Sequence, residues 1–293
     1  MQILWIIILV GYAFGVAQSI FTLTTKRPAL QRLSLATLAV AFGAHSSWLL
    51  LRGISTGRCP LVGTQEMCAF LSWGLVVCYL IAYRWYHANA LKAFIFPIVL
   101  VLAAIAAISP NTQGHLQGLQ NPLQGLLFPV HAGLILLAYA SFFIAFGAGL
   151  MYIIQERELK QRRFGPIFYK LPSLDTCDAI SFKALAIGFV LLTLGIAAGF
   201  YWQGLRDGRF WHGTPIEIFS VATWVIYFFF IQTRLNAKWG GRAAALASIV
   251  SFLIVIFSLI GLRSLGNLHT LSLVISHSSL VQSHWSCLCG GFF

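Results

Sequence analysis

Four of the eight histidines fall near one end of the apolar segments of this 293-residue chain. They are His45, His131, His212 and His269. Neutral imidazoles that face each other across a gap can hold an iron porphyrin through its two axial positions. We therefore take His131 and His269 as candidate ligands of a heme iron, and His45, which is deeper in its segment, as a further member of the site. A histidine at a membrane interface can also be a simple amphipathic anchor, and this alternative stays open.

Residues 208–224, GRFWHGTPIEIFSVATW, add aromatic and charged groups at the same level. A porphyrin is flat and apolar, so it stacks on aromatic side chains, whereas its propionates need cations that can pair with them. Trp202 and Trp211 are the predicted stacking platform, and Arg206 and Arg209 are the predicted propionate partners. The full candidate cofactor-binding set is His45, His131, Trp202, Arg206, Arg209, Trp211, Glu217, Trp224 and His269. Tryptophans of an interfacial belt and arginines that end a membrane span are the simpler alternative.

The composition is that of an integral membrane protein. Hydrophobic residues make up 59% of the chain and charged residues only 9%, with a mean hydropathy of +0.83. A soluble domain of this length needs far more charge to cover its surface. The net charge of +12 is explained by basic loops at a membrane, so we expect no nucleic-acid partner. The six cysteines form no CxxC pair and no CxxCH occurs, so the chain does not itself carry a covalently attached c-type heme.

Eight apolar segments are long enough to cross about 30 Å of hydrocarbon as helices. They fall at roughly 3–22, 33–51, 67–83, 91–109, 130–154, 184–203, 217–233 and 244–262. No segment alternates like a barrel strand, which favours helices. We predict an all-α, polytopic membrane helix bundle of about eight transmembrane helices, forming a single integral membrane domain over residues 1–293. The N-terminus is interpreted as the first span and not as a removable signal.

The basic residues predict the orientation. Fourteen of the 19 lysines and arginines lie in the loops after the first, third, fifth and seventh segments. By the positive-inside rule these loops are cytoplasmic, which places both termini outside. The longest of them, residues 155–183, is predicted to be a cytoplasmic loop in which LPSLDTCDAISF forms a short helix along the membrane surface.

No acidic residue is predicted to lie in the middle of a span. Proton-coupled pumps and cation transporters use an intramembrane carboxylate to carry charge. The chain also shows no inverted repeat of the kind found in many secondary transporters. A small-solute transporter therefore fits the helix count but ranks last among the functions considered.

Several stretches together resemble the cytochrome c assembly family of the CcsA, ResC and HemX type. They are HSSWLLL, TQEMCAFLSW, FPVHAGLILLAYASFFIAFGAGLMYIIQERELK, LPSLDTCDAISFKALAIGFVLLTLGIAAGFYW, WVIYFFFIQTRLNAKWGGRAAALASIVSFLIVIFSLIG and LGNLHTL. The resemblance covers residues 35–270 and assigns His131 and His269 as external heme ligands and His45 as a membrane histidine. It implies a multi-pass protein of the bacterial cytoplasmic (inner) membrane that binds or passes heme, as heme b, at the external face.

The same resemblance implies partners. These are apocytochrome c and a membrane protein of cytochrome c maturation, with the chain acting as an assembly factor and not as a stand-alone catalyst. The family signature reads roughly Gly-x-Tyr-Trp-x-Trp-Asp-Pro-Lys-Glu, whereas this chain has RFWHGTPIE. It keeps Trp211, Pro215 and Glu217, but Gly213 and Thr214 stand where the second Trp and the Asp would be. This departure resembles the HemX-like branch and leaves an alternative function: a non-catalytic membrane partner that keeps the fold and no longer binds heme. Residues 270–293 form an atypical tail.

Overall fold

Every regular element is a helix in the computed structural model, which describes residues 1–24, 28–110, 122–162, 165, 168–236 and 240–256. The helices are α1 (Gln2–Thr24), α2 (Pro28–Thr56), α3 (Thr64–Tyr86), α4 (Leu91–Ile108), α5 (Pro122–Lys160), α6 (Leu174–Asp207), α7 (Pro215–Asn236) and α8, described over Gly241–Ile256. The predicted all-α bundle is confirmed. His269 and the tail 270–293 lie outside the described residues.

Six of the described helices are long and apolar enough to cross a membrane. They are α1, α3, α4, α5, α6 and α7. Helix α2 is also long, at 29 residues, but its C-terminal half contains His45, Ser46, Ser47 and Arg52, which lower its hydropathy. The chain is therefore a membrane protein in which one of the long helices has a polar C-terminal half.

The connection between α5 and α6 is shorter than the predicted loop 155–183. Helix α5 continues to Lys160, and α6 begins directly after Ser173, whose hydroxyl accepts a hydrogen bond from the Thr176 N–H at 3.3 Å. The predicted surface helix is wrong as a separate element, because its residues are the first turns of α6. A capped helix start with no breaker after it continues into the apolar segment that follows.

Helices α5 and α6 approach each other closely along a row of glycines. Gly188, Gly195 and Gly199 lie on one face of α6, because residues seven and four apart share a face. A Cβ atom on Gly188 would lie 2.6 Å from the Phe142 ring, and one on Gly195 would lie 2.8 Å from Ile135. The missing side chains therefore allow α5 to pack almost against the backbone of α6, as small residues do in membrane helix pairs.

Two contacts of Arg234 hold the end of α7 to the start of α6. The Arg234 guanidinium donates to both carboxylate oxygens of Asp178, each at 2.8 Å, and lies 5.0 Å from the centre of the Phe182 ring. The arginine side chain is nearly buried and the aspartate is partly exposed. A bidentate pair in this setting fixes the two helix ends relative to each other.

We expect Asp178→Asn to destabilise the protein by about 2 kcal/mol, because it leaves a nearly buried guanidinium without its counter-charge. Thermal unfolding of the detergent-solubilised protein measures the change. Asp175→Asn is the matched control, since Asp175 lies one turn earlier and is exposed. Equal melting temperatures for the two variants would show that the ion pair does not stabilise the α6–α7 contact.

Candidate functional site

The side chain of His131 is oriented by the backbone of α6. Its Nδ1 atom lies 2.6 Å from the carbonyl oxygen of Gly195. A carbonyl oxygen can only accept a hydrogen bond, so Nδ1 is assigned as the donor. In the neutral ring the lone pair is then on Nε2, which is the state that binds a metal, and the hydrogen bond from the other nitrogen fixes this tautomer.

The space for the His131 ring exists because residue 199 is glycine. A Cβ atom on Gly199 would lie 2.6 Å from both Cε1 and Nδ1 of His131. Even alanine would therefore force the ring to move. The close packing of α5 on α6 thus sets both the position and the tautomer of this histidine, which remains half-buried.

Aromatic and cationic groups lie on α6 after Gly199, the glycine that contacts His131. The Trp202 ring is 5.3 Å from the ring of Phe128, which lies one turn before His131 on α5. The Arg206 guanidinium is 4.5 Å from the centre of the Trp202 ring. From Gly199 to Arg206 the rise is about 10 Å at 1.5 Å per residue. The structure therefore brings imidazole, indole and guanidinium together in that order.

Arg206 already has an anionic neighbour. Its Nη2 donates to Asp207 at 2.6 Å and its Nε donates to both oxygens of the same carboxylate. Both side chains are partly exposed to solvent. A carboxylate ligand at this arginine would compete with Asp207 in a well-hydrated setting, where an ion pair contributes little.

Arg209 and Trp211 lie in the α6–α7 loop and are exposed. The left-handed residue Gly208, with φ 70°, ends α6 and its N–H donates to the Gly204 carbonyl at 3.0 Å. Trp211 contacts the Phe200 ring edge-on at 5.7 Å and keeps 47% of its surface exposed. The loop therefore presents an aromatic surface and a cation at the same end of the bundle as Trp202.

Glu217 holds the loop onto the start of α7. Its Oε2 accepts hydrogen bonds from the N–H groups of His212 at 2.9 Å and Thr214 at 3.3 Å. In return the Thr214 hydroxyl accepts from the Glu217 N–H at 3.4 Å. Together with Pro215 in the first turn, this is a capping box. Glu217 is a predicted cofactor-binding residue, but its contacts here are those that the Thr-x-x-Glu pattern of the sequence indicates.

Trp224 lies two turns further along α7 and packs between helices. Its indole N–H donates to the Thr193 hydroxyl on α6 at 2.9 Å, and its ring stacks on Phe228 at 5.3 Å. These contacts join α7 to α6 below the loop. The structure does not bring Trp224 next to His131 or Trp202 through any ring contact or hydrogen bond among the residues it describes.

His45 lies in a separate aromatic cage. The residue is fully buried, and its Nδ1 is 3.0 Å from the Tyr12 hydroxyl on α1, with the Trp5 ring 6.1 Å away. The backbone of Ala69 on α3 is near the ring, but Nε2 makes no hydrogen bond within the described part of the chain. Among the described residues, helix α2 packs on α1 and α3. His45 and His131 thus have different surroundings, and their place in one site with His269 stays a prediction.

Comparison with known proteins finds a family model and related proteins that are described by cytochrome c assembly or biogenesis. The family model described as cytochrome C assembly protein matches residues 61–269. The chain is 26% identical over 263 residues to a cytochrome c biogenesis protein CcsA of Synechococcus sp. (strain CC9902), covering 82% of this chain and 86% of that protein. It is 27% identical over 238 residues to the CcsA protein of Prochlorococcus marinus (strain MIT 9215), covering 74% and 77% of the two chains. The CcsA protein of Chlamydomonas reinhardtii is 28% identical over 222 residues, which are 74% of this chain and 62% of that one.

We expect Glu217→Ala to expose the α6–α7 loop to protease. Loss of a helix cap costs about 1 kcal/mol, which raises the population of the opened loop roughly fivefold. Trypsin cleavage after Arg209, followed by mass spectrometry of the intact membrane protein, measures this directly. Asp207→Ala is the control, because Asp207 is a carboxylate of the same region that pairs with a side chain. Cleavage after Arg209 at the wild-type rate in Glu217→Ala would contradict the capping role.

Proposed function

This chain belongs to the cytochrome c assembly protein family, and we propose that it binds or passes heme at the external face of the membrane during cytochrome c biogenesis. The family match spans residues 61–269, which is more than half of the chain. Its membrane helices and its relatives named as cytochrome c biogenesis proteins agree with this role. The contacts of His131, Trp202 and Arg206 support the heme-handling step.

The setting of His131 is the observation that supports heme binding best. Gly195 accepts its Nδ1 hydrogen and Gly199 leaves the space that its ring occupies. A histidine held in this way is prepared to coordinate through Nε2, because its tautomer and ring plane are already fixed. The residues present therefore fit an iron porphyrin at this place.

In this proposal each further residue has a defined task. Heme would supply an iron that imidazole nitrogens can bind, and His131 and His269 would be the residues that hold it. Trp202 and Trp211 offer aromatic surface to the porphyrin, and Arg206 and Arg209 pair with its propionates. The chain holds and orients the group, and the attachment of heme to apocytochrome c falls to a partner protein of the membrane. We assign the cofactor as heme b, since no residue pattern in this chain provides covalent attachment.

We propose the bacterial cytoplasmic membrane as the location. The related proteins of Synechococcus and Prochlorococcus marinus are bacterial. With the orientation given by the positive-inside rule, His131, Trp202 and the α6–α7 loop face the external compartment. Apocytochrome c would meet the site from that side.

A second candidate function is supported by the loop itself. Gly213, which stands where the family signature has its second Trp, has a left-handed backbone with φ 68°. A tryptophan would be strained there. In addition, Glu217 is engaged by the loop backbone. A partner protein that keeps the fold and has lost heme would have such a rebuilt loop. The visible absorption spectrum of the purified protein with added hemin separates the two functions.

We expect the purified protein to show a Soret band typical of bis-imidazole heme, either as isolated or after addition of hemin. His131→Ala and His269→Ala should each abolish or shift this band, because each removes one axial nitrogen. His87→Asn is the control. His87 is the residue that ends α3, and its backbone has φ 51°, a conformation that asparagine tolerates. A wild-type protein that stays colourless with hemin would favour the heme-free partner function.

We expect Gly199→Ala to weaken hemin binding by about 10- to 100-fold, because the added methyl group displaces the His131 ring and its hydrogen bond to Gly195. Spectrophotometric titration with hemin measures the affinity. Gly188→Ala is the matched control, since it adds the same methyl group to the same helix interface against Phe142 and does not touch His131. If both variants lose affinity equally, helix separation and not the histidine is the cause.

A further inference from the structure

A narrow apolar groove, the α3–α6 groove, lies where α3 ends and α6 begins. Both helices pack on α5, which forms the floor of the groove. Its lining includes Ile81, Trp85 and Tyr86 from α3, Ile144 from α5, and Lys183 and Ile187 from α6. Ile81, Trp85 and Ile187 each keep 43% or more of their surface exposed. Because exposed apolar side chains of a membrane helix face lipid, the groove opens toward the bilayer.

The end of the groove nearest the helix termini is polar and has unused binding capacity. Lys183 Nζ lies 5.2 Å from the centre of the Tyr86 ring, within the range of a cation–π contact. Lys183 has no carboxylate partner in the part of the chain that the structure describes. The Tyr86 hydroxyl is buried and has no hydrogen-bond partner among the same residues. An ammonium group and a hydroxyl donor thus remain available to an anion at one place.

The rest of the groove suits a thin apolar chain. The Ser141 hydroxyl on its floor already donates to the Leu137 carbonyl at 2.9 Å. The groove reaches from Tyr86 to Cys78, about 12 Å along α3 at 1.5 Å per residue, and holds about 410 Å³ of empty space. A helix of this length and about 10 Å in diameter would need roughly 900 Å³. A helix of a partner protein is therefore too wide, whereas a single acyl chain is thin enough.

Lys183 lies at the depth of lipid headgroups. Helix α6 ends at Asp207, 24 residues after Lys183, which is a rise of about 36 Å. This exceeds the roughly 30 Å thickness of the hydrocarbon core, so Lys183 is at one membrane surface when Asp207 is at the other. With the orientation given by the positive-inside rule, that surface belongs to the cytoplasmic leaflet, whose anionic lipids attract basic residues.

We propose that the α3–α6 groove binds one anionic phospholipid. Its phosphate is held by Lys183 Nζ and the Tyr86 hydroxyl, and one acyl chain lies along Ile81, Ile144 and Ile187 toward the middle of the membrane. An ammonium group binds a phosphate as a point charge, and a hydroxyl donor adds a charge-assisted hydrogen bond. A lipid in this place fills the space between α3 and α6 and connects α3 to the α5–α6 pair. The site does not depend on heme.

Native mass spectrometry of the full-length protein tests the site by titration in detergent with phosphatidylglycerol and with zwitterionic phosphatidylcholine. Wild type should bind one phosphatidylglycerol about fivefold more tightly than phosphatidylcholine, the preference expected from one basic residue at a membrane surface. Lys183→Gln should abolish this preference and change phosphatidylcholine binding less than twofold. Arg84→Gln is the matched control and should keep the preference, because Arg84 is an exposed cation in the last turn of α3 that does not line the groove.

Two further variants test the hydroxyl and the acyl chain separately. Tyr86→Phe removes only the hydroxyl and should weaken phosphatidylglycerol about threefold, the effect of one hydrogen bond. Ala184→Phe fills the groove and should weaken both lipids at least fivefold. Its control is Ala197→Phe, which adds the same bulk at an exposed position of α6 outside the groove and should weaken neither.

Four results would overturn the proposal. The preference for phosphatidylglycerol could persist in Lys183→Gln, or it could be lost equally in Arg84→Gln, which would assign it to the general positive charge of this end. Displacement of phosphatidylglycerol by an equal concentration of inorganic phosphate would show an anion site and not a lipid site. A lower melting temperature of Lys183→Gln in nanodiscs of phosphatidylcholine alone would assign the lysine a structural role against Tyr86. The hemin titrations at His131 are independent of all four results.

Discussion

The close contact between α5 and α6 is the constraint on which the rest of the candidate site depends. Because α6 presents Gly188, Gly195 and Gly199 to its neighbour, the two backbones approach closely enough for a histidine on one to donate to a main-chain carbonyl of the other. Any side chain at these positions would separate the helices. The glycines thus do more than permit packing, since they convert an interfacial histidine into an oriented one.

The seven acidic side chains of this protein lie near helix ends, and most of them pair with a basic side chain or a backbone N–H group. Asp178 pairs with Arg234 where α6 begins and α7 ends, Asp207 pairs with Arg206 at the other end of α6, and Glu217 accepts hydrogen bonds from the loop backbone. Carboxylates used in this way fix helix ends and turns, and none lies at the middle of a described span. Glu66 differs, because it pairs with both Arg52 and Arg58, and the charges of the three groups do not balance.

The all-helical fold was predictable from sequence because apolar length and composition alone require helices in a bilayer. The same pattern could not give the helix ends. Ser173 caps α6 and Lys160 ends α5, so the connecting loop is much shorter than residues 155–183, and hydrophobicity says nothing about such caps. The orientation of His131 also lay beyond the sequence, because it depends on a carbonyl 64 residues away. The Thr214–Glu217 cap, in contrast, is predictable from sequence, because Thr-x-x-Glu at a helix start is the capping-box pattern.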